Sequence, residues 1–192
     1  MIAWERAWVG GAPSTRSWAM EDSSVSGASL TLRRASRADA PAITVMTRAA
    51  YAKWIPLIGR EPKPMGADYA EAVRTHLIDL LYANGELAAL VETIPEPTHL
   101  LIENLAVSPA FQGRGYGVRL MAHAEQLAAS LRLGEIRLYT NKLFAENVRF
   151  YLRLGYRVDR EEAFKGGSLV HMSKRLEATG KGPRNRPPRD GG

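Results

Sequence analysis

The sequence predicts an α/β protein in which helices pack on a mixed β-sheet. Three observations predict this class. Short segments alternate apolar and polar residues, as half-buried strands do. Longer segments place apolar residues at every third or fourth position, as amphipathic helices do. The pair Asn84-Gly85 is a strong hairpin signal, and a hairpin among strands that are joined by helices makes the sheet mixed.

The first predicted elements are a strand and two helices. Ser29–Arg34 alternates apolar and polar residues and is the predicted strand. Ser36 is a suitable helix cap, and Pro41 fits the first turn of the helix that follows. The apolar stripe of that helix comprises Ile43, Met46, Ala49, Ala50 and Trp54. A proline-rich loop over 56–65 leads to a second helix, for which Asp68 is the predicted cap.

Six further strands and two further helices complete the prediction. The strands are Ile78–Tyr82, Glu86–Thr93, His99–Val107, Ile136–Thr140, Tyr156–Val158 and Leu169–Met172, and the helices are Gly115–Leu133 and Ala145–Leu154. Gly134 and Gly155 follow these two helices, where glycine commonly ends a helix. The predicted order is therefore β-α-α-β-β-β-α-β-α-β-β.

The chain is predicted to contain one domain, over residues 29–176. Residues 1–28 show no clear helix or strand period and are predicted to be an N-terminal extension. Residues 177–192 are rich in Gly, Pro and Arg and are predicted to be a disordered basic tail. The net charge is +6, and residues 174–192 account for +4 of it. The basic charge is thus mostly a property of the tail, which argues against a nucleic-acid interface on the domain.

Composition excludes several classes of chemistry. The chain has no cysteine, so disulfides, cysteine-ligated zinc and a cysteine nucleophile are excluded. The four histidines have no metal-binding spacing, so no metal is expected. No apolar run is long enough to predict a membrane helix, and residues 1–28 lack the pattern of a signal peptide. A cytoplasmic protein without membrane contact is therefore expected.

A glycine-rich loop carries the clearest functional signal. It runs through Gln112-Gly113-Arg114-Gly115-Tyr116-Gly117, between a predicted strand and a long predicted helix. Glycines let the backbone approach a ligand, and the free N–H groups at a helix start bind anions such as phosphate. The loop has neither the Lys-Ser/Thr of a Walker A loop nor the third glycine of a dinucleotide fingerprint. A different phosphate-bearing ligand is expected.

The loop and its surroundings resemble the GNAT family of N-acetyltransferases. In that family a strand ending in a phrase such as Leu-Ala-Val-x-Pro precedes the loop pattern Arg/Gln-x-x-Gly-x-Gly/Ala, and here Leu105–Pro109 precedes Gln112–Gly117. The segment Tyr151–Tyr156 is similar to the family element Tyr-x-x-x-Gly-Phe/Tyr. The order of elements also matches, so the resemblance covers roughly residues 29–176. It implies a GNAT-like fold and transfer of an acetyl group from acetyl-CoA, the cosubstrate, to a primary amine within a ternary complex.

The resemblance also implies roles for individual residues. Leu105, Ala106 and Val107 would bind the pantetheine arm through their main chain, on a strand that splays away from its neighbour. The residues expected to surround the pyrophosphate are Gln112, Gly113, Arg114, Gly115, Tyr116, Gly117 and Val118. Many family members have a cofactor-contacting asparagine where this chain has Phe144. Asn147, one helical turn before Tyr151, is the expected substitute, and Asn141 is another.

Two proton transfers are needed, because the acceptor ammonium must lose a proton and the leaving thiolate must gain one. Tyr151 matches the family tyrosine on the thiolate side; the alternative is a packed aromatic beside Phe150. Glu103 is the candidate base, since strand alternation would place its side chain on the same face as Leu105. The alternative is a solvated glutamate without a role. Glu146 and Glu135 are weaker candidates for the base.

The acceptor is either a small-molecule amine or a protein amine. The loops over 54–68 and 161–168 are expected to determine it, and Tyr51, Trp54 and Tyr82 either line the acceptor pocket or belong to the core. Two other functions stay open: a non-catalytic acyl-CoA-binding regulatory module, and nucleic-acid binding by the tail alone. An exposed final strand would favour a homodimer.

Overall fold

The computed structural model describes residues 29–177 of the chain. The predicted extension over residues 1–28 lies outside the described residues, as do residues 178–192 of the predicted tail. The described strands are β1 Leu30–Arg34, β2 Leu77–Ala83, β3 Glu86–Pro95, β4 Leu100–Val107, β5 Glu135–Asn141, β6 Arg157–Phe164 and β7 Gly167–Arg175. The helices are α1 Ala40–Tyr51, α2 Ile55–Ile58, α3 Tyr69–Thr75, α4 Tyr116–Ser130 and α5 Ala145–Arg153.

The predicted order of elements is confirmed, with one addition. The single-turn helix α2 lies inside the segment that the sequence predicts to be a loop. Its proline occupies the first turn, where the missing N–H has no intrahelical partner to lose, and Gly59 ends it with a positive φ of 68°. Asp68 caps α3 as predicted, since its Oδ1 accepts the N–H groups of Ala70 and Glu71.

The seven strands form one mixed sheet in the order β1-β2-β3-β4-β5-β7-β6. All neighbouring pairs are antiparallel except β4 and β5, which are parallel. The predicted α/β class with a mixed sheet is therefore confirmed. The final strand is not exposed, because β7 lies between β5 and β6 and pairs with both, so the feature that would favour a homodimer is not present in the described residues. The edge on that side is β6.

Helices cover both faces of the sheet. α1 and α3 pack on one face, with Ile43, Leu80 and Leu90 fully buried between them and the strands. α4 and α5 pack on the other face, around Leu120 and Ile136. The predicted stripe of α1 is correct for Ile43, Met46 and Ala50, whereas Ala49 is exposed. No described helix is long and apolar enough to cross a membrane.

Strand β4 carries two irregularities that shape the site. Its pairing with β5 extends only from Leu100 to Ile102, so the rest of β4 separates from β5 while it stays paired with β3. The second irregularity is a bulge: Glu92 pairs with Asn104 and Thr93 with Ile102, so Glu103 is an extra residue. Backbone groups beyond Ile102 on the β5 side are therefore open to a ligand, as the family resemblance implies.

The bulge corrects the prediction that Glu103 and Leu105 share a face. Leu138 packs in the core on the α4 side, so its neighbour on β5, Tyr139, points to the α1 side by strand alternation. Glu103 accepts a hydrogen bond from Tyr139 and therefore lies on the α1 side as well. Leu105 packs against the core on the α4 side. Simple alternation fails here because the extra residue turns the side chain of Glu103 to the face opposite Leu105.

Candidate active site

The glycine loop forms the predicted strand–loop–helix junction. Gly113 and Gly115 have φ values of 76° and 79°, a left-handed conformation that favours glycine. Helix α4 begins at Tyr116, and the N–H of Arg119 donates to the carbonyl of Gly115. The N–H groups before Arg119 in the first turn thus have no acceptor within the helix, and they lie at the positive end of its dipole. This geometry can bind a phosphate.

A cleft of about 380 Å³ lies between this loop, β4, the end of α1 and α5. Ten of the eleven residues predicted to bind the cofactor line it: Leu105, Ala106, Val107, Gln112, Gly113, Gly115, Tyr116, Gly117, Val118 and Asn147. Arg114 does not line the cleft, and its guanidinium lies 5.2 Å from the ring centre of Phe111. The side chain of Tyr116 is buried in the core, so only its backbone is available to a ligand.

A second cavity of about 290 Å³ is lined by residues of β4 and β5 from the region where these strands separate. Its apolar wall consists of Ile58, Pro62, Pro64, Ile102, Leu105, Leu138, Phe144, Phe164 and Leu169. Its charged residues are Arg60, Lys63 and Glu103. The loop that bears Ile58 to Pro64 and the β6 residue Phe164 belong to the two segments that the sequence predicts to determine the acceptor.

The cleft and the second cavity meet at four residues, Tyr51, Leu105, Asn147 and Tyr151. Tyr151 is buried and packs edge-on against Phe150 and Tyr156, at centroid distances of 5.2 and 6.0 Å. It is therefore a packed aromatic as well as a residue that borders both spaces. Burial raises the pKa of Tyr151 above its ordinary value, so the phenol is protonated at neutral pH and can donate a proton.

Glu103 is held by two partners at the wall of the second cavity. Its Oε1 accepts a hydrogen bond from Lys63 Nζ at 2.6 Å, and its Oε2 accepts one from Tyr139 at 2.7 Å. Burial lowers the pKa of Lys63, but the hydrogen bonds to Glu103 and Tyr139 outweigh it, and the net pKa is raised. Lys63 is thus an ammonium at neutral pH. Lys63 was not predicted from the sequence, because a loop lysine carries no local signal of this long-range contact.

A buried polar network supports the junction from the α1 side. Tyr51 donates its phenol proton to Asn104 Oδ1 at 2.8 Å, and Asn104 Nδ2 donates to the oxygen of Tyr69 at 3.0 Å. Tyr69 in turn donates to the carbonyl of Pro64 at 3.0 Å. Burial raises the pKa of Tyr69 to about 12, so it keeps this proton. The network therefore links β4 to the loop that lines the second cavity.

Phe144, which stands in place of the family asparagine, and its two expected substitutes have different surroundings. Phe144 stacks on Trp54 with ring centres 4.3 Å apart, so an apolar contact occupies this position. Asn141 accepts the N–H of Leu143 at 2.9 Å, which is a turn contact. Asn147 borders both the cleft and the second cavity. Asn147 is therefore better placed than Asn141 to contact a ligand in the cleft, because Asn141 lines only the second cavity and its side chain makes a turn contact.

Other predicted candidates lie in different places. Glu146 and Glu135 line neither space; Glu146 lies 3.7 Å from Lys53, and Glu135 pairs with Arg137. Trp54 lines the cleft, whereas Tyr82 lines neither space and accepts a hydrogen bond from Arg33. Within residues 29–177, no group of three or more histidine, aspartate or glutamate side chains is arranged to hold a metal.

Solved structures share this fold. An IAA acetyltransferase from Bacillus cereus is 18% identical and covers 77% of this chain and 100% of its own, with a TM-score of 0.60. The PaiA N-acetyltransferase from Thermoplasma acidophilum, solved with coenzyme A, is 18% identical and covers 77% of this chain and 99% of its own, with a TM-score of 0.66. The ribosomal-protein-S18-alanine N-acetyltransferase from Escherichia coli is 19% identical and covers 82% of this chain and 99% of its own, with a TM-score of 0.60. The fold is therefore one that acetyltransferases adopt.

The sequence profile of the acetyltransferase (GNAT) family matches residues 46–156, which is more than half of the chain. This protein belongs to the GNAT family of acetyltransferases. The predicted family and the predicted class of enzyme, an acetyl-CoA-dependent N-acetyltransferase, are confirmed.

Proposed function

We propose that the protein transfers the acetyl group of acetyl-CoA directly to a primary amine while both substrates are bound. The observation that carries this proposal is the meeting of the cleft and the second cavity at Leu105 and Tyr151. A coenzyme in the cleft and an amine in the second cavity would bring their reacting atoms together there. Direct transfer needs such proximity and no covalent intermediate on the protein.

The cleft supports acetyl-CoA as the ligand. Gln112, Gly113 and the residues from Gly115 to Val118 line the cleft at the start of α4, where free N–H groups would bind the pyrophosphate. Arg114 lies outside the cleft on Phe111, and we propose that it adds positive charge beside the loop. Leu105, Ala106 and Val107 offer backbone groups on the side where β4 leaves β5. One of these N–H groups would face the thioester carbonyl and stabilise the charge that develops on its oxygen. We assign Asn147 to this ligand as well, because it lines the cleft near Tyr151.

Tyr151 and Glu103 are the proposed proton donor and acceptor. The amine nitrogen forms a bond to the acetyl carbon as the carbon–sulfur bond breaks. Glu103 takes the proton that the ammonium loses before attack, and Tyr151 gives its proton to the leaving sulfur. The nitrogen loses its second proton after it bonds to the acetyl carbon, and this proton returns Tyr151 to the phenol through solvent. Because Lys63 Nζ already occupies Oε1 of Glu103, an acceptor ammonium must displace it or reach Glu103 through a water molecule.

The first test is calorimetric titration of the protein with acetyl-CoA, with NAD as the control ligand. We expect micromolar binding of acetyl-CoA and none of NAD, because the loop lacks the dinucleotide fingerprint. Release of free CoA is then measured with a panel of primary amines. A folded sample that does not bind acetyl-CoA would remove the proposed function. Binding without CoA release would favour a regulatory acyl-CoA-binding module.

Replacing Gly115 by Ala is expected to weaken acetyl-CoA binding by about tenfold and the fold by about 1–2 kcal/mol. A Cβ at Gly115 meets nothing within 4 Å, but the φ of 79° is unfavourable for alanine, so the loop must move. Calorimetry and chemical denaturation measure the two effects. Gly134→Ala is the matched control, because a Cβ there also meets nothing within 4 Å and its φ is not in the left-handed range. Equal losses in both variants would contradict the role given to Gly115.

The remaining proposals concern the domain bounds, the location in the cell, the class of acceptor and the oligomeric state. We propose residues 29–176 as the catalytic domain and a cytoplasmic location, and the acceptor is a small-molecule or protein amine. A homodimer stays a prediction.

A further inference from the structure

We propose that the acceptor is a free amino acid with an apolar side chain, which binds the second cavity as a zwitterion. This inference rests on the proposed function, since it names the substrate class of the same site. It also assigns a new role to Arg60, as the residue that recognises the carboxylate of the acceptor.

The first argument is charge. The second cavity is lined by two cations, Arg60 and Lys63, and one anion, Glu103. Lys63 is paired with Glu103, but among the described residues no carboxylate lies within 4 Å of Arg60. Its neighbour Glu61 is taken by Arg48, at 2.6 Å. Arg60 is therefore left without an anionic partner. An acceptor with only an ammonium would raise the net positive charge of the cavity, whereas a zwitterion leaves the net charge unchanged and offers Arg60 a carboxylate.

The second argument is the position of Arg60. Its guanidinium lies 5.7 Å from the ring centre of Phe164, and its Nη1 donates a long hydrogen bond of 3.4 Å to the carbonyl of Glu61. Most of its N–H groups have no partner among the described residues. A guanidinium with free N–H groups over an aromatic ring is well suited to a carboxylate.

The third argument is the existing ion pair. Lys63 and Glu103 present an ammonium and a carboxylate side by side, at 2.6 Å. When the ammonium of an amino acid takes the place of Lys63 on Glu103, Lys63 is released and becomes a second cation for the acceptor carboxylate. The acceptor ammonium would then pair with Glu103, and the acceptor carboxylate would pair with both Arg60 and Lys63, so Glu103 keeps a cationic partner.

The fourth argument is size and polarity. A volume of about 290 Å³ is at the lower end of small-ligand sites, which favours a small molecule. The apolar wall that includes Ile58, Phe144 and Phe164 would cover an apolar side chain. A peptide N-terminus has the amine and the side chain but no carboxylate on the same residue, so it would leave Arg60 unmatched.

The test uses three ligands that differ only at the carboxylate: L-phenylalanine, L-phenylalaninamide and phenethylamine. Each is titrated calorimetrically into the complex of the protein with CoA, and CoA release from acetyl-CoA is measured in parallel. We expect L-phenylalanine to bind at least about tenfold more tightly than the other two, as a charge-assisted contact predicts. Arg60→Gln should remove this advantage and leave phenethylamine within about twofold, while Arg60→Lys should restore part of it.

Arg74→Gln is the control variant, because Arg74 pairs with Glu71 on α3 and lines neither space. Equal binding of the three ligands, or an unchanged preference in Arg60→Gln, would overturn the inference. Tighter binding of the amide would also overturn it and would indicate peptide N-termini. Turnover of phenethylamine alone would leave the proposed function intact and remove only the inference. Binding of L-phenylalanine that depends on Arg60, without CoA release from any ligand, would support the carboxylate-binding role of Arg60 but contradict the proposed function and, with it, the acceptor role of the amino acid.

Discussion

Replacing Tyr151 by Phe should lower kcat by about a hundredfold or more, which is the usual contribution of a positioned proton donor. The ring would keep its contacts with Phe150 and Tyr156, so the fold and the Kd for acetyl-CoA should change little. The phenol is the group that matters, because burial raises the pKa of Tyr151 and keeps its proton in place across the neutral range. Steady-state kinetics and calorimetry with acetyl-CoA measure the two quantities.

Tyr156→Phe is the matched control for this variant. Tyr156 is also buried and packs against Tyr151, but it lines neither the cleft nor the second cavity. Its hydroxyl has no hydrogen-bond partner among the described residues, so its loss should leave both kcat and stability close to those of the parent protein. If Tyr151→Phe behaves in the same way as Tyr156→Phe, Tyr151 is only a packing residue.

Replacing Glu103 by Gln should lower kcat/KM by about a hundredfold near pH 7, and the loss should shrink as the pH rises. A primary amine has a pKa of about 10, so almost all of the acceptor is protonated at neutral pH, and a base must remove the proton before the amine can attack. With increasing pH the free amine becomes more abundant in solution, and the variant no longer needs Glu103. A pH–rate profile of both proteins with phenethylamine as acceptor measures this convergence.

Glu135→Gln is a suitable control, because its side chain is 19% exposed, close to the 17% of Glu103, and it also pairs with a cation. It lies at the start of β5 and lines neither space, so we expect parent-like kinetics. A loss in Glu103→Gln that is constant over the pH range would indicate that Glu103 positions Lys63 and the loop. No loss at all would exclude Glu103 from the mechanism.

Much of the cleft that we propose for the coenzyme could be predicted from the sequence because its signals are local. The glycine pattern from Gly113 to Gly117 and the alternation of β4 lie within a few residues of each other. Their geometry follows from backbone conformation alone. The strand–loop–helix junction and the lining of the cleft therefore agree with the sequence-based expectation, except at Arg114, which stacks on Phe111 outside the cleft.

The second cavity, which we propose for the acceptor, depends on contacts that a linear pattern does not show. The bulge at Glu103 is a property of the pairing between β3 and β4. The strand itself was predicted correctly, but the face of the sheet predicted for the Glu103 side chain was wrong. β6 was predicted only over Tyr156–Val158, because its continuation to Phe164 is exposed and charged and shows no apolar alternation. Lys63 joins Glu103 across 40 positions of sequence, a separation over which spacing carries no information.

The division of labour between the cleft and the second cavity has an evolutionary consequence. The cleft depends on β4, the glycine loop and two helices, whereas the second cavity depends largely on the segment from Ile58 to Pro64 and on the outer strands. On the proposed roles, insertions or substitutions in that segment would alter the choice of acceptor and leave the residues that we assign to the coenzyme unchanged. Descendants of such a chain can therefore acquire new substrates by gradual change, and the shared chemistry is inherited intact.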